Sequence, residues 1–83
     1  MARERIEVMT YSGYRGEETP RAFVLCGNRI EIDKVLRTWI EEGIRDRMKK
    51  RCFDVKGIDG VTHRIHYDEE TMDWFYDQEV ERG

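Results

Sequence analysis

The residues of this 83-residue chain that could do chemistry are few and scattered. His63-x-x-His66-x-Asp68 has the residue types of a zinc or nickel site, because imidazole and carboxylate both suit those ions. On a strand, however, positions 63 and 66 point to opposite faces, so only His66 and Asp68 share a side, and two donors do not make a site. His63 is then expected to pack beside Val61 and Ile65, and His66 to be solvated. Cys26 and Cys52 each have a histidine available as a base, the pairing that cysteine hydrolases use. Such a pair also needs an orienting third group and oxyanion donors, and neither cysteine stands in a context that provides them. Gly13-Tyr14-Arg15-Gly16 lacks the third glycine and the Gly-Lys-Ser/Thr ending of phosphate loops. The chain therefore reads as a non-enzyme, with no metal and no cofactor.

The elements that must hold these residues follow from composition and alternation. Seven Ile, six Val and nine aromatics stand against two Leu and two Ala, an inventory that favours strands. Ile6 to Tyr11 alternates as a half-buried strand. Ser12 to Pro20 is an exposed loop with two glycines and a proline. Arg21 to Cys26 and Arg29 to Ile32 form a hairpin about Gly27-Asn28. From Ile32 two readings stand. Ile32, Val35, Leu36, Trp39, Ile40, Ile44 and Met48 recur at helical spacing, while Arg29 to Trp39 also reads as one long strand with a bulge near Asp33-Lys34. Cys52 to Lys56 and Val61 to Tyr67 flank a Gly57-Ile58-Asp59-Gly60 turn. Met72 to Tyr76 is a last aromatic strand, and the tail from Asp77 is expected to fray.

This layout resembles a family of small bacterial domains of unknown function. The resemblance rests on Pro20, Phe23, Gly27-Asn28-Arg29, the run Ile30, Ile32, Val35, Leu36 to Trp39, then Phe53, Val55, Tyr67-Asp68 and Trp74. It covers about residues 5 to 77 and implies a small, partly open antiparallel β-barrel, SH3-like, with Arg29 to Trp39 as its long bent strand. It carries over no catalytic residue. The expected fold is mainly β (small α+β): one domain over residues 1–83, five or six antiparallel strands, and one short helix near residues 40–49.

Charge and length narrow the function. A domain this small buries roughly 60% of its unfolded surface, which leaves little room for an enclosed pocket and favours a surface site. No apolar run approaches a membrane span, and Met1 to Arg5 has no apolar signal core, so a soluble, cytoplasmic protein is expected. The net charge of −3 combines +3 over residues 1–67 with −6 from Asp68 onward. The basic run Arg45, Arg47, Lys49, Lys50 and Arg51 suits phosphate contacts, although the acidic end can fold back onto it. Alternation in the last strand puts Trp74 and Tyr76 on one face and Phe75 on the other, so one large ring is expected to meet solvent. The reading is a binding module that contacts a protein or peptide through the 12–20 loop and exposed aromatics, with Tyr14, Arg15 and Trp74 as partner-binding residues. Nucleic-acid binding through the 45–51 run is the alternative. The oligomeric state stays open, because a partly open barrel leaves strand edges.

Overall fold

The computed structural model describes residues 4–12, 18–42 and 49–80. They form six strands: β1 (Glu4–Ser12), β2 (Glu18–Leu25), β3 (Asn28–Glu42), β4 (Lys49–Gly57), β5 (Thr62–Asp68) and β6 (Asp73–Glu79). Each strand pairs antiparallel with the next, and β6 returns to β1, closing a barrel. Closure pairs the first strand with the last, although individual ladders do not run the full length of their strands. There is no helix among the described residues, which corrects the expected helix near residues 40–49. Ile40 to Glu42 end β3 and Lys49 begins β4; residues 43–48 lie outside the described part.

β3 explains why the helical spacing misled. Its first residues, Asn28 to Glu31, pair with β2, and from Ile32 to Glu42 it pairs with β4. The register with β4 skips Asp33 and Leu36, so two bulged residues are inserted into one strand. Each bulge adds a residue between inward positions. Ile32 and Val35, both packed against the core, are therefore three apart rather than two, and the pattern imitates a helix. The strand reading, with its bulge at Asp33-Lys34, is the one observed.

The interior holds Ile6, Phe23, Phe53, Val55 and Ile65, flanked by Val8, Leu25, Ile30, Trp74 and Tyr76. Each fully buried side chain of this kind contributes about 1.5–3 kcal/mol of transfer free energy. The turn between β2 and β3 is Cys26-Gly27, one residue earlier than Gly27-Asn28. Both residues have positive φ, 52° and 79°, as a two-residue hairpin of matching twist requires. Cys26 is thus exposed in the turn. At the β4–β5 turn, Gly57 admits no side chain: a Cβ there would stand 2.6 Å from Asp59 Oδ1 and 2.9 Å from Ile30 Cγ2. Its N–H donates to the Val61 carbonyl at 2.9 Å, and Ile58 N–H donates to the Glu31 carbonyl at 2.9 Å, tying the turn to β3. β6 continues to Glu79, and Val80 N–H donates to the Thr62 carbonyl at 2.8 Å. The segment from Asp77 to Val80 is therefore part of the barrel and not a frayed tail.

Candidate interaction cleft and the polar face behind it

Among the described residues, Glu4–Tyr76, Arg5–Phe75 and Ile6–Trp74 pair across the seam between β1 and β6, and from Glu7 to Ser12 β1 runs against β2 alone. Where the seam ends, a surface cleft of about 480 Å³ opens, lined by Arg5, Ile6, Glu7, Val8, Met72, Asp73 and Trp74. Trp74 is half-buried; its ring centre is 5.4 Å from that of Phe53 and 5.1 Å from that of Tyr67, so the core fixes its position. Arg5 and Asp73 bridge at 3.1 Å on the rim. Met72 is 71% exposed and sits at φ 63°, a left-handed conformation that ends the β5–β6 turn. That turn is held by Asp68, whose Oδ1 accepts from Glu70 N–H at 2.9 Å and whose carbonyl accepts from Met72 N–H at 2.8 Å. The result is a fixed aromatic wall beside a flexible thioether, with Arg5, Glu7 and Asp73 also in the lining. Such a surface suits an apolar side chain presented by another molecule.

Of the predicted partner-binding residues, Trp74 lines this cleft, whereas Tyr14 and Arg15 lie outside the described residues. Phe75, on the other face of β6, is half-buried like Trp74 and stacks on His66 with ring centres 5.2 Å apart. In the basic run, Arg45 and Arg47 also lie outside the described residues. Lys49, Lys50 and Arg51 begin β4 and meet the acidic segment: Arg51 Nε bridges to Glu69 Oε2 at 2.9 Å, Glu69 N–H donates to the Lys49 carbonyl at 3.2 Å, and Lys50 pairs with Glu41 on one side and Asp68 on the other. The two charged stretches fold together.

The two histidines lie on opposite faces of β5, as alternation requires, and both are buried. His63 lies within the barrel, edge-on to Phe23 at 5.2 Å. Its Nε2 is 3.3 Å from Asp59 Oδ2 and its Nδ1 2.9 Å from the Tyr76 hydroxyl. A carboxylate only accepts, so Nε2–H donates to Asp59, and Nδ1 shares the second hydrogen bond with the Tyr76 hydroxyl. Tyr76 keeps its proton, because burial, reinforced by nearby carboxylates, pushes it up to about 12. Asp59 in turn is held low, first by the Val61 N–H and also by His63.

His66 is on the outer face and is 1% exposed, which corrects the expectation that it is solvated. Both oxygens of Asp77 are 2.9 Å from its Nδ1. Nε2 is buried and has no hydrogen-bond partner. Cys52 is its cross-strand neighbour on β4. Cys52, His66 and Asp77 have the residue types of a nucleophile, base and orienting acid, but not the working arrangement. The unpartnered Nε2 shows that the thiol does not reach it, and burial, then Glu41 and Asp77, push the thiol up to about 11. β4 is paired on both sides at Cys52, which occupies the backbone N–H groups that an oxyanion hole needs. No group of three or more metal-ligating side chains converges among the described residues. Sequence reasoning missed Asp77, which reaches His66 only because β6 extends past Tyr76.

The rest of this outer face is satisfied internally. Arg64 donates to both Asp54 oxygens at 2.7 and 3.1 Å, a pairing that raises its already high basicity. The Arg37 and Arg64 guanidinium groups lie 4.8 and 5.0 Å from the centre of the Trp39 ring, and Trp39 Nε1–H donates to Glu41 at 2.9 Å.

Fold and site together define a small closed antiparallel β-barrel with a surface cleft at its weakest seam. No protein-family model, curated protein or solved structure matches this chain. No described helix is long and apolar enough to cross a membrane.

Proposed function

We propose that this protein is a non-enzymatic, cytoplasmic binding module, an SH3-like barrel that takes an apolar side chain of a partner protein or peptide into the cleft beside Trp74. The observation that carries the reading is the termination of the β1–β6 seam at Ile6–Trp74, which leaves an aromatic-walled cleft of about 480 Å³ beside the exposed Met72. Buried aromatic anchors in preformed pockets dominate the energetics of protein contacts, and rigid walls lower the cost of binding. Tyr14 and Arg15, which lie between β1 and β2 in the sequence, supply a second contact. The nucleic-acid alternative has less support, because the described part of the basic run already faces Glu69, Asp68 and Glu41.

The test uses a peptide selected against the whole protein from a displayed random library. Its affinity should fall at least about tenfold, which is about 1.4 kcal/mol, in Met72→Lys with the melting temperature unchanged. A smaller loss is expected when Tyr14 and Arg15 are both replaced by alanine. Selected peptides that bind both variants as they bind the unaltered protein would place the contact elsewhere.

A further inference from the structure

The barrel has a second weak line, between β2 and β3. Their ladder covers only Ala22–Leu25 against Asn28–Glu31. Beyond it, β3 pairs with β4 on one side, and among the described residues no strand pairs with its other edge from Asp33 to Glu42. Two large apolar side chains stand on this segment, Leu36 at 45% exposed and Ile40 at 60% exposed. An extended edge with unpaired backbone groups and exposed aliphatic side chains is a template for another strand.

We infer that this edge pairs with the same edge of a second copy, antiparallel about a two-fold axis at Thr38. Opposite residues of an antiparallel pair share a face, and a two-fold axis normal to the sheet makes residue i face residue 76 − i, so that the numbers of facing residues sum to twice 38. Leu36 then faces Ile40 of the second copy and Ile40 faces its Leu36, so both exposed aliphatic side chains become covered. Thr38 meets Thr38, a favourable cross-strand pair. On the other face, each Arg37 comes opposite the Trp39 of the second copy, extending the guanidinium-on-indole contact already made within one chain at 4.8 Å. Centring one position earlier, at Arg37, sets Asp33 against Glu41, and centring one later, at Trp39, sets Leu36 against Glu42. Only the Thr38 register joins the two apolar residues without opposing like charges. It spans Leu36 to Ile40, with the bulged Leu36 at its end and β3 regular from Arg37 on.

A ladder of five residues buries little area, so the dimer is weak, with a Kd on the order of 10 μM to 1 mM. Sedimentation of the whole chain across that range should show reversible growth from 10.0 kDa to twice that mass. Ile40→Lys and, independently, Leu36→Lys should abolish it without lowering the melting temperature. Met72→Lys, which probes the Trp74 cleft, should leave it unchanged, so this inference and the proposed function fail separately. In a Cys26→Ser background, Thr38→Cys should oxidise to a disulfide-linked dimer. A monomer at about 1 mM, or a dimer that survives both lysine substitutions, would overturn the inference.

Discussion

The β4–β5 hairpin and the β1–β6 seam divide the barrel between them, and they are built in opposite ways. β4 and β5 are joined by seven pairs, from Lys50–Asp68 to Lys56–Thr62, and they carry Phe53, Val55 and Ile65 inward. Among the described residues the seam has three pairs, and the cleft opens where they stop at Ile6–Trp74. Apolar burial and a full ladder make the hairpin the stable centre; on the proposed function, the cleft beside the fixed tryptophan makes the seam the place where a partner would gain most. Small binding proteins separate these tasks because a site needs unsatisfied surface, which a core cannot contain.

The contrast can be broken first by removing core volume. Ile65→Ala should cost about 2–5 kcal/mol in denaturant unfolding, whereas Val8→Ala at the half-buried edge of the cleft should cost markedly less. Equal losses would mean that the seam is as much a part of the core as the hairpin. A smaller effect is expected on the polar outer face, where Asp54→Ala strands Arg64 and should cost about 1–3 kcal/mol. The two histidines provide a finer comparison. His63→Leu leaves the Tyr76 hydroxyl and Asp59 without their partner and should cost about 1–3 kcal/mol. His66→Leu removes the buried, unpartnered Nε2 together with the Nδ1 bond to Asp77, whose carboxylate is partly exposed and can be hydrated instead, so the two effects offset and its cost should be under about 1 kcal/mol.

Alkaline pH tests the same interior. The Cys52 thiol rises from 9.0 to about 11 and the Tyr76 phenol from 10.0 to about 12, so the unfolded chain releases these protons before the folded one. Both groups therefore contribute stability that is fully present below pH 9 and is lost as pH rises from 9 to 12. Cys52→Ala and Tyr76→Phe should each flatten that loss when chemical denaturation is followed across the window. A stability unchanged between pH 9 and 12 would contradict the burial that causes both shifts.

Much of the barrel was legible because alternation is a strong signal wherever one face is buried. Val61 to Tyr67 and Ile6 to Tyr11 show it plainly, and Gly57 to Gly60 announces its turn. β3 was ambiguous for a physical reason: bulges at Asp33 and Leu36 convert a period of two into steps of three. The Cys26-Gly27 turn was displaced by one because cysteine seldom takes a positive φ, and nothing local marks it as the residue that does. Trp74 stood out in the sequence from its aromatic strand, but the cleft it lines did not, because the cleft depends on where the β1 and β6 ladders part. The burial of His66 was not legible, since it depends on Phe75 and Asp77, which reach it from the next strand.

The division between stable hairpin and binding seam is tested most directly by residue-resolved hydrogen exchange, measured with and without the selected peptide. In the free protein the β4–β5 amides should exchange slowest and those from Glu4 to Met9 much faster. The peptide should then slow exchange at Glu4 to Met9 and Met72 to Tyr76 while leaving the hairpin unchanged. Protection confined to β4 and β5, or absent from both sides of the Trp74 cleft, would contradict the assignment of binding to the seam.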